Sequence, residues 1–348
     1  DITAQTTWTT NCANNVVTVP AKGTADVTVT VKLSDALRKE LTDTFENGIY
    51  IEGYITLTQQ TTAEGVTGCD LSIPYLAFYG DWDQAPVIDI GYYWQKLQGE
   101  PNWASQYLNY GGSMLSGTGS FYVFGGNPYA PELAYYPEHN TLSPLRTDGY
   151  YDKVDLIYTA LLRNAKSLTY RITDAKTGET YYRKTVDYVG KSVYNANYDT
   201  ILPAGSFTST AIDPWYGVDS AGEMLKDDTT VIVSIDAELD HDGFTAAQNK
   251  NAHWEFPVTI DNTPPQILSS TSDGETLTLE VADSLYLAYV EVYDVEHMNV
   301  FSEPVFSQGY SSKTPGETAT VRVYVSSLNK VYVCLADYGR NEKVVTLD

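Results

Sequence analysis

The chain has 348 residues, 43% of them hydrophobic and 19% charged, which indicates two or three folded domains and excludes a disordered chain. Its formal charge of −24 repels nucleic-acid backbones and anionic lipid surfaces, so we expect no nucleic-acid partner. No apolar run is long enough to span a bilayer, and we expect no membrane insertion by this segment.

The first segment combines strands with one short helix. Residues 25–33 ("ADVTVTVKL") alternate apolar and polar side chains, which predicts a half-buried strand. Apolar residues four apart after Ser34 predict a helix, and "GIYIEGYITL" and "LSIPYLAFY" predict two more strands. We interpret "GDWDQAP" as the exit of this domain, with Trp82 packed at the junction. Residues 1–86 are therefore predicted to form a β-sandwich domain, and its small size suggests that opening strands are missing.

The middle segment, residues 87–262, is predicted to be a larger β-sandwich domain. Its insertion at about 94–150 is rich in aromatic residues and glycine and has no clean period, which is typical of a long loop folded over a surface. Strands resume with the hairpin "SLTYRITDAKTGETYYRKT" and continue through "TTVIVSIDAEL" and "EFPVTI".

The last segment, residues 263–348, is predicted to be a small Ig-like or fibronectin-III-like domain. It follows "DNTPPQI", whose two prolines stop a strand ladder. At least four strands then occur in fewer than 90 residues, a spacing typical of a β-sandwich. The predicted fold class is all-β, with tandem sandwiches.

No catalytic site is expected from the motifs. The four histidines lie in no recognisable catalytic setting, and neither a G-x-S-x-G elbow nor a glycine-rich phosphate loop occurs. Three cysteines without a C-x-x-C pair argue against a metal cluster. A disulfide between Cys12 and Cys69 stays open, although we favour three separate buried thiols.

Two groups of residues are candidate binding sites. Aromatic rings of the insertion are candidates to stack on sugars or to hold a peptide: Trp94, Trp103, Tyr107 and Tyr110. We favour the alternative that they pack against the sheet. Glu238, Asp240 and Asp242 match early positions of a calcium loop, but Asn249 stands where a bidentate Glu is needed. We therefore favour a turn there, expect no cofactor, and keep Ca²⁺ as the alternative.

Several strings resemble the fibronectin-type-III-like accessory segments of subtilisin-family cell-envelope serine proteinases, of the lactocepin and complement-cleaving peptidase type. They are "LSIPYLAFYGDWDQAPV", "SPLRTDGYYDKV", "VDLIYTALLRNAKSLTYRITD" and "VTIDNTPPQI". The resemblance implies a secreted or wall-attached parent protease whose catalytic triad lies in an upstream domain, and no catalytic residue is carried over to this chain.

The leading hypothesis is a non-catalytic spacer that braces the catalytic domain of the parent protease and offers an exosite to protein substrates. Stacked sandwiches with short Pro-rich joints keep a fixed span, unlike a Gly/Ser tether. The rival hypothesis is a surface adhesin or carbohydrate-binding array that uses the rings of the insertion.

Overall fold

The structure is a computed structural model in which strands predominate over helices. The all-β architecture of tandem sandwiches confirms the predicted fold class. Two compact units are present, one over Asp1–Ala85 and one that holds most of the chain from Pro86 onward. The residues that the structure describes are 5–60, 69–88, 115–116, 122–134, 136–154, 161–191, 193–197, 200–202, 213–241, 252–294, 303–324 and 330–347.

The first unit contains two antiparallel strand pairs and a helix. Strand β1 pairs with β2, and β3 pairs with β4 in a continuous nine-residue register. Helix α1 follows β2 directly along the chain. The bounds are β1 Thr6–Thr10, β2 Val29–Leu33, α1 Asp35–Thr44, β3 Ile49–Leu57 and β4 Leu71–Tyr79.

Helix α1 begins where the sequence predicts it. The Ser34 side chain accepts a hydrogen bond from the Leu37 backbone N–H at 3.1 Å, which satisfies one donor of the first turn. Leu37 and Leu41 are buried one turn apart. The predicted helix is confirmed, whereas β2 is shorter than predicted because its pairing with β1 stops at Val29.

The core of the first unit is thin. A cavity of about 960 Å³ separates the two strand pairs and is lined by residues of both, such as Val29 and Ile51. Trp8 and Leu76 are 58% and 66% exposed. Trp82 packs edge-on against Phe78, with ring centroids 4.9 Å apart. Its predicted position at a domain junction stays a prediction.

The second unit begins with a five-stranded sheet in the order β7-β13-β12-β8-β9. Strand β7 runs parallel to β13, and the other neighbours are antiparallel. The five strands are β7 Thr141–Leu142, β8 Ala165–Asp174, β9 Thr180–Val189, β12 Thr230–Glu238 and β13 His253–Ile260. Four short strands form two separate pairs: β5 Leu115–Ser116 with β6 Tyr122–Val123, and β10 Val193–Asn195 with β11 Thr200–Leu202.

Alternating residues of this sheet form a buried apolar core. Val231, Val233 and Ile235 of β12 are at most 1% exposed, as the period of two predicts. Residues outside the sheet, including Phe124 and Trp215, belong to the same core. We call the five-stranded sheet and the segments packed on it the middle sandwich.

The remaining strands form a two-layer sandwich, which we call the C-terminal sandwich. One sheet has the order β14-β15-β18 and the other has the order β17-β16-β19-β20. Both sheets contribute to one apolar core, separate from that of the middle sandwich. The bounds are β14 Gln266–Ser272, β15 Thr276–Ala282, β16 Leu287–Asp294, β17 Phe306–Gly309, β18 Ala319–Tyr324, β19 Val331–Asp337 and β20 Glu342–Leu347.

The two cores of the second unit lie in one compact body. The domain bounds 1–86, 87–262 and 263–348 stay a prediction. Among the described residues, no helix is long and apolar enough to cross a membrane. Cys12, Cys69 and Cys334 are free thiols. Cys69 is exposed and the other two are only half-buried, so the expectation of three buried thiols is wrong.

Candidate functional site at the joint between the sandwiches

A buried polar clamp holds the middle and C-terminal sandwiches together. The Ser143 hydroxyl, directly after β7, lies 2.7 Å from the carbonyl oxygen of Asp261 and 3.0 Å from that of Gly339. Asn341 Nδ2 lies 2.8 Å from the Asp261 carbonyl oxygen and 3.0 Å from Ser143 Oγ. All these partners are buried, so each bond replaces water that the groups have lost. We call this region the joint.

Asn127 forms a second clamp from the aromatic insertion. Its Nδ2 donates to the backbone carbonyls of Ala288 at 2.8 Å and Tyr310 at 3.0 Å. Its Oδ1 accepts from the backbone N–H groups of Tyr129 and Ala130. The side chain is buried and uses both its donor and its acceptor side, which fixes the insertion on the C-terminal sandwich.

Aromatic rings surround His139 where the insertion packs on the C-terminal sandwich. The fully buried imidazole lies 4.0 Å from the Tyr338 ring and 4.6 Å from the Tyr286 ring, measured between centroids. Its Nε2 lies 2.6 Å from the Ser312 carbonyl oxygen, so Nε2 carries the proton and donates. Burial lowers the pKa of His139, which keeps the ring neutral.

The linker between the sandwiches is held by Asp227. Its Oδ1 accepts from the backbone N–H and the side-chain amide of Asn262, and its Oδ2 accepts from Thr263 at 2.6 Å. Asn262 in turn accepts a hydrogen bond from the Leu145 backbone N–H. The linker is therefore bonded on both sides just before Pro264 and Pro265 further restrict it.

Three buried carboxylates meet at this joint. Asp261 directly follows β13, Asp283 directly follows β15, and Asp337 ends β19. They are 1%, 4% and 0% exposed, and carboxylate oxygens of the three lie within 4.8 Å of one another. We call them the acidic centre.

Backbone and amide donors position the acidic centre but leave two oxygens free. Asp337 Oδ1 and Oδ2 accept from the backbone N–H and the side-chain amide of Asn341, each at 2.8 Å. Asp261 Oδ1 accepts from Thr263 N–H, and Asp283 Oδ1 accepts from Leu285 N–H. The Oδ2 atoms of Asp261 and Asp283 are buried without a hydrogen-bond partner.

Burial raises the pKa of all three carboxyls. Desolvation is the main cause for Asp261 and Asp337, and the neighbouring carboxylates add to it. Burial raises the pKa of Asp283 to about 6 against the pull of backbone donors. The arrangement can hold protons or a cation, since three negative charges this close repel one another in a dry site.

The predicted binding residues lie elsewhere. Trp94, Trp103, Tyr107, Tyr110 and Asp242 are outside the described residues. The Glu238 carboxylate lies 2.7 Å from Lys166 Nζ in an exposed ion pair, and Asp240 is exposed beyond the end of β12.

Sequence reasoning missed the acidic centre, although a signal exists. The strings "VAD" and "LAD" end two strands with the same apolar–Ala–Asp pattern, at Asp283 and Asp337. Asp261 likewise follows an apolar strand end, within the string "DNTPPQI" that marks the predicted domain boundary. The signal is an Asp at, or directly after, the C-terminal end of three apolar strands, β13, β15 and β19.

Neither His139 nor His253 engages a serine or cysteine side chain among the described residues. His139 contacts a backbone carbonyl, and His253 lies against the carboxylates of Asp236 and Glu255. These carboxylates favour the charged imidazole, and the pKa of His253 is raised despite burial, which acts in the opposite direction.

Comparisons with known proteins agree with the predicted resemblance. Residues 2–76 match the family model described as an Fn3-like domain. The chain is 23% identical over 319 residues to C5a peptidase of Streptococcus pyogenes serotype M1, which covers 76% of this chain and 25% of that protein. It is 23% identical over 293 residues to PI-type proteinase of Lactococcus lactis subsp. cremoris, covering 78% of this chain and 13% of that protein.

The chain spans about a quarter or less of the length of these curated relatives. It contains an Fn3-like domain and is similar to part of two bacterial proteinases, consistent with the predicted resemblance to accessory segments of cell-envelope proteinases.

Proposed function

We propose that the chain is a non-catalytic accessory region of a secreted or cell-wall-attached subtilisin-like serine endopeptidase. The similarity to part of C5a peptidase supports this, because most of that relative lies outside the aligned segment. The Fn3-like match over residues 2–76 agrees with an accessory region, although a fold does not by itself define a function, so the proposal rests mainly on the similarity to the proteinases. Its partner would be the catalytic domain of the parent protein.

Within that parent, the region acts as a rigid spacer and brace. The observation that carries this proposal is the buried clamp of Ser143, Asp261 and Asn341 across the joint. Buried hydrogen bonds of this kind lose much of their energy if geometry changes, so they resist bending. A flexible tether would lack such contacts and would expose its backbone to water.

An exosite for protein substrates is the second part of the proposal. The chain carries 45 acidic side chains against 21 basic ones, which favours association with basic segments of a substrate. A rigid support would hold such a surface at a fixed distance from the catalytic domain, so substrate engaged by it would reach the active site in one orientation.

Distance measurements between the sandwiches test the spacer. Spin labels are placed at exposed Asp187 of β9 and exposed Ser270 of β14, after Cys12, Cys69 and Cys334 are replaced by Ser. We expect one narrow distance distribution in the labelled chain without further substitution, called the parent chain below, and a broad one in Asn341→Ala. Equal widths in both, or a broad distribution in the parent chain, would contradict a rigid joint.

The protease assignment has its own test. We expect the reading frame upstream of Asp1 to encode a subtilisin-like domain, and the full-length protein to cleave casein while this chain alone does not. Removal of the chain should slow cleavage of protein substrates more than that of short peptides. Saturable glycan binding by the isolated chain, lost in Trp103→Ala, would instead favour the adhesin.

A further inference from the structure

The acidic centre is an unbalanced group of buried charges. Asp261, Asp283 and Asp337 are each at least 96% buried, and none takes part in an ion pair of the described residues. Buried carboxylates are normally paired with a cationic side chain or a metal, because an isolated ionised carboxylate loses its hydration without compensation.

Two unpartnered oxygens give independent evidence of a missing partner. Asp261 Oδ2 and Asp283 Oδ2 are buried and accept no hydrogen bond, whereas the Oδ1 atom of each carboxylate accepts from the backbone. Nearly all buried polar atoms in folded proteins are satisfied, so an orphaned pair at one place indicates an occupant. The Oδ1 bonds also fix both carboxylates in orientation, as metal ligands usually are.

We propose that Asp261, Asp283 and Asp337 bind one Ca²⁺ ion that links the middle and C-terminal sandwiches. Ligands on opposite sides of Ca²⁺, at about 2.3–2.6 Å each, stand roughly 5 Å apart, which accommodates oxygens within 4.8 Å of one another. All three side chains offer oxygen, which hard cations prefer, and the group contains neither His nor Cys for zinc. Mg²⁺ binds less well because it demands a tighter octahedron and keeps its waters.

The ligands come from both sides of the joint. Asp261 follows the last strand of the middle sandwich, while Asp283 and Asp337 belong to strand ends of the C-terminal sandwich. Ca²⁺ therefore binds the assembled joint and not the separated sandwiches, and it stabilises the folded state by mass action. This inference concerns the joint alone and does not depend on a protease parent.

Protonation is the competing way to neutralise the site. Burial raises the pKa of the three carboxyls, which favours their protonated forms in a cation-free centre. Two variants separate the alternatives. In Asp261→Asn and Asp283→Asn the amide oxygen keeps the Oδ1 bond and the amide nitrogen takes the place of the free Oδ2, so both variants are expected to fold.

The experiment uses the whole chain after treatment with a chelator. Titration with CaCl₂ by calorimetry at pH 7.5 is expected to show one site, and thermal unfolding is expected to shift upward with Ca²⁺. At a free Ca²⁺ concentration of 100 Kd, the folded-to-unfolded ratio should rise about 100-fold. Tb³⁺, a luminescent substitute for Ca²⁺, should be sensitised by Tyr338, which directly follows Asp337.

The variants decide the outcome. Asp261→Asn and Asp283→Asn should lose the Ca²⁺ heat, the Tb³⁺ signal and the thermal shift, while the exposed-site control Asp187→Asn keeps all three. If Asp240→Asn lost these three signals instead, the ion would lie at the end of β12 and not in the acidic centre. Absence of binding to the parent chain, or binding unchanged in both acidic-centre variants, overturns the proposal and leaves protons as the neutralising species.

Discussion

Asn341 donates a side-chain hydrogen bond to the backbone carbonyl of Asp261 at 2.8 Å, joining the last hairpin of the C-terminal sandwich to the end of β13. The same amide nitrogen lies 2.8 Å from Asp337 Oδ2 and 3.0 Å from Ser143 Oγ. One buried side chain thus contacts both the polar clamp and the acidic centre.

Asn341→Ala should destabilise the second unit. The change removes an amide that two sandwiches share and leaves buried oxygens of Asp261 and Asp337 without that donor. We expect a loss of about 1–3 kcal/mol in the free energy of unfolding, measured by urea denaturation. The exposed Asn197→Ala is the control and should stay within about 0.5 kcal/mol of the parent chain. A loss no larger than that of the control would contradict the role assigned to Asn341.

Gly339→Ala should strain the joint. A Cβ atom at this position would overlap Ser143 Oγ, so either the Ser143 hydroxyl rotates away from its bonds to the Asp261 and Gly339 carbonyls or the backbone shifts. We expect a cost of about 1–3 kcal/mol, with broader distances between the sandwiches in the spin-label experiment. Gly190→Ala is the matched control, because a Cβ there meets nothing within 4 Å. Equal melting temperatures for Gly339→Ala and Gly190→Ala would contradict tight packing at the joint.

The acidic centre predicts a pH dependence that calcium removes. The pKa of Asp283 is about 6 in the folded state against 3.8 as its ordinary value, so the folded chain holds more protons between these values. Stability from this group is therefore complete below about pH 4 and is lost as pH rises through about 6. Without divalent cations, Asp283→Asn should gain on the parent chain between pH 5 and pH 8, on the order of 2–3 kcal/mol.

With Ca²⁺ the order should reverse at pH 8, since the parent chain then gains the bound ion and the variant does not. Unfolding midpoints of both chains at pH 5 and pH 8, with and without Ca²⁺, test this reversal. Parallel pH curves for the parent chain and Asp283→Asn would show that Asp283 does not titrate in this range. The Asp283 charge also raises the pKa of Asp261 and Asp337, so the comparison reports the titration of the acidic centre as a whole.

The buried His139 predicts the opposite pH dependence of stability from that of Asp283, namely a loss of stability at acid pH. Its pKa lies below the ordinary 6.5 because of burial, with Lys313 acting in the same direction and Glu138 against it. The unfolded chain binds the proton first, so stability is lost as pH falls below about 6.5. His139→Phe keeps a ring against Tyr286 and Tyr338 but cannot be protonated.

We expect His139→Phe to be less stable than the parent chain at pH 8, by about 1 kcal/mol, because it loses the bond to the Ser312 carbonyl. The deficit should shrink as pH is lowered to 5, because the unfolded parent chain then gains a proton that the buried ring disfavours, whereas His139→Phe has no such group. Thermal unfolding at four pH values measures this, and a deficit that grows on acidification would refute a neutral His139.

Local patterns in the sequence determined the strands, the capped helix and the resemblance to proteinase segments. The period of two in residues 230–238 predicted that Val231 and Val233 face the core, because side-chain direction in a strand depends only on position along it. Ser34, followed by Leu37 and Leu41, predicted the position of α1, because capping depends on a few neighbouring residues. The spacing of its strands predicted the C-terminal sandwich.

Only the tertiary structure decided the joint and its acidic centre. Asp261, Asp283 and Asp337 belong to strand ends of two sandwiches, and they meet because non-local sheet pairing and the Asn341 clamp bring those ends together. In the sequence each of the three resembles an ordinary turn residue, since nothing in a local pattern reports burial or the loss of a counter-charge. Burial is what changes a turn aspartate into a candidate ligand, and burial is a property of the assembled fold.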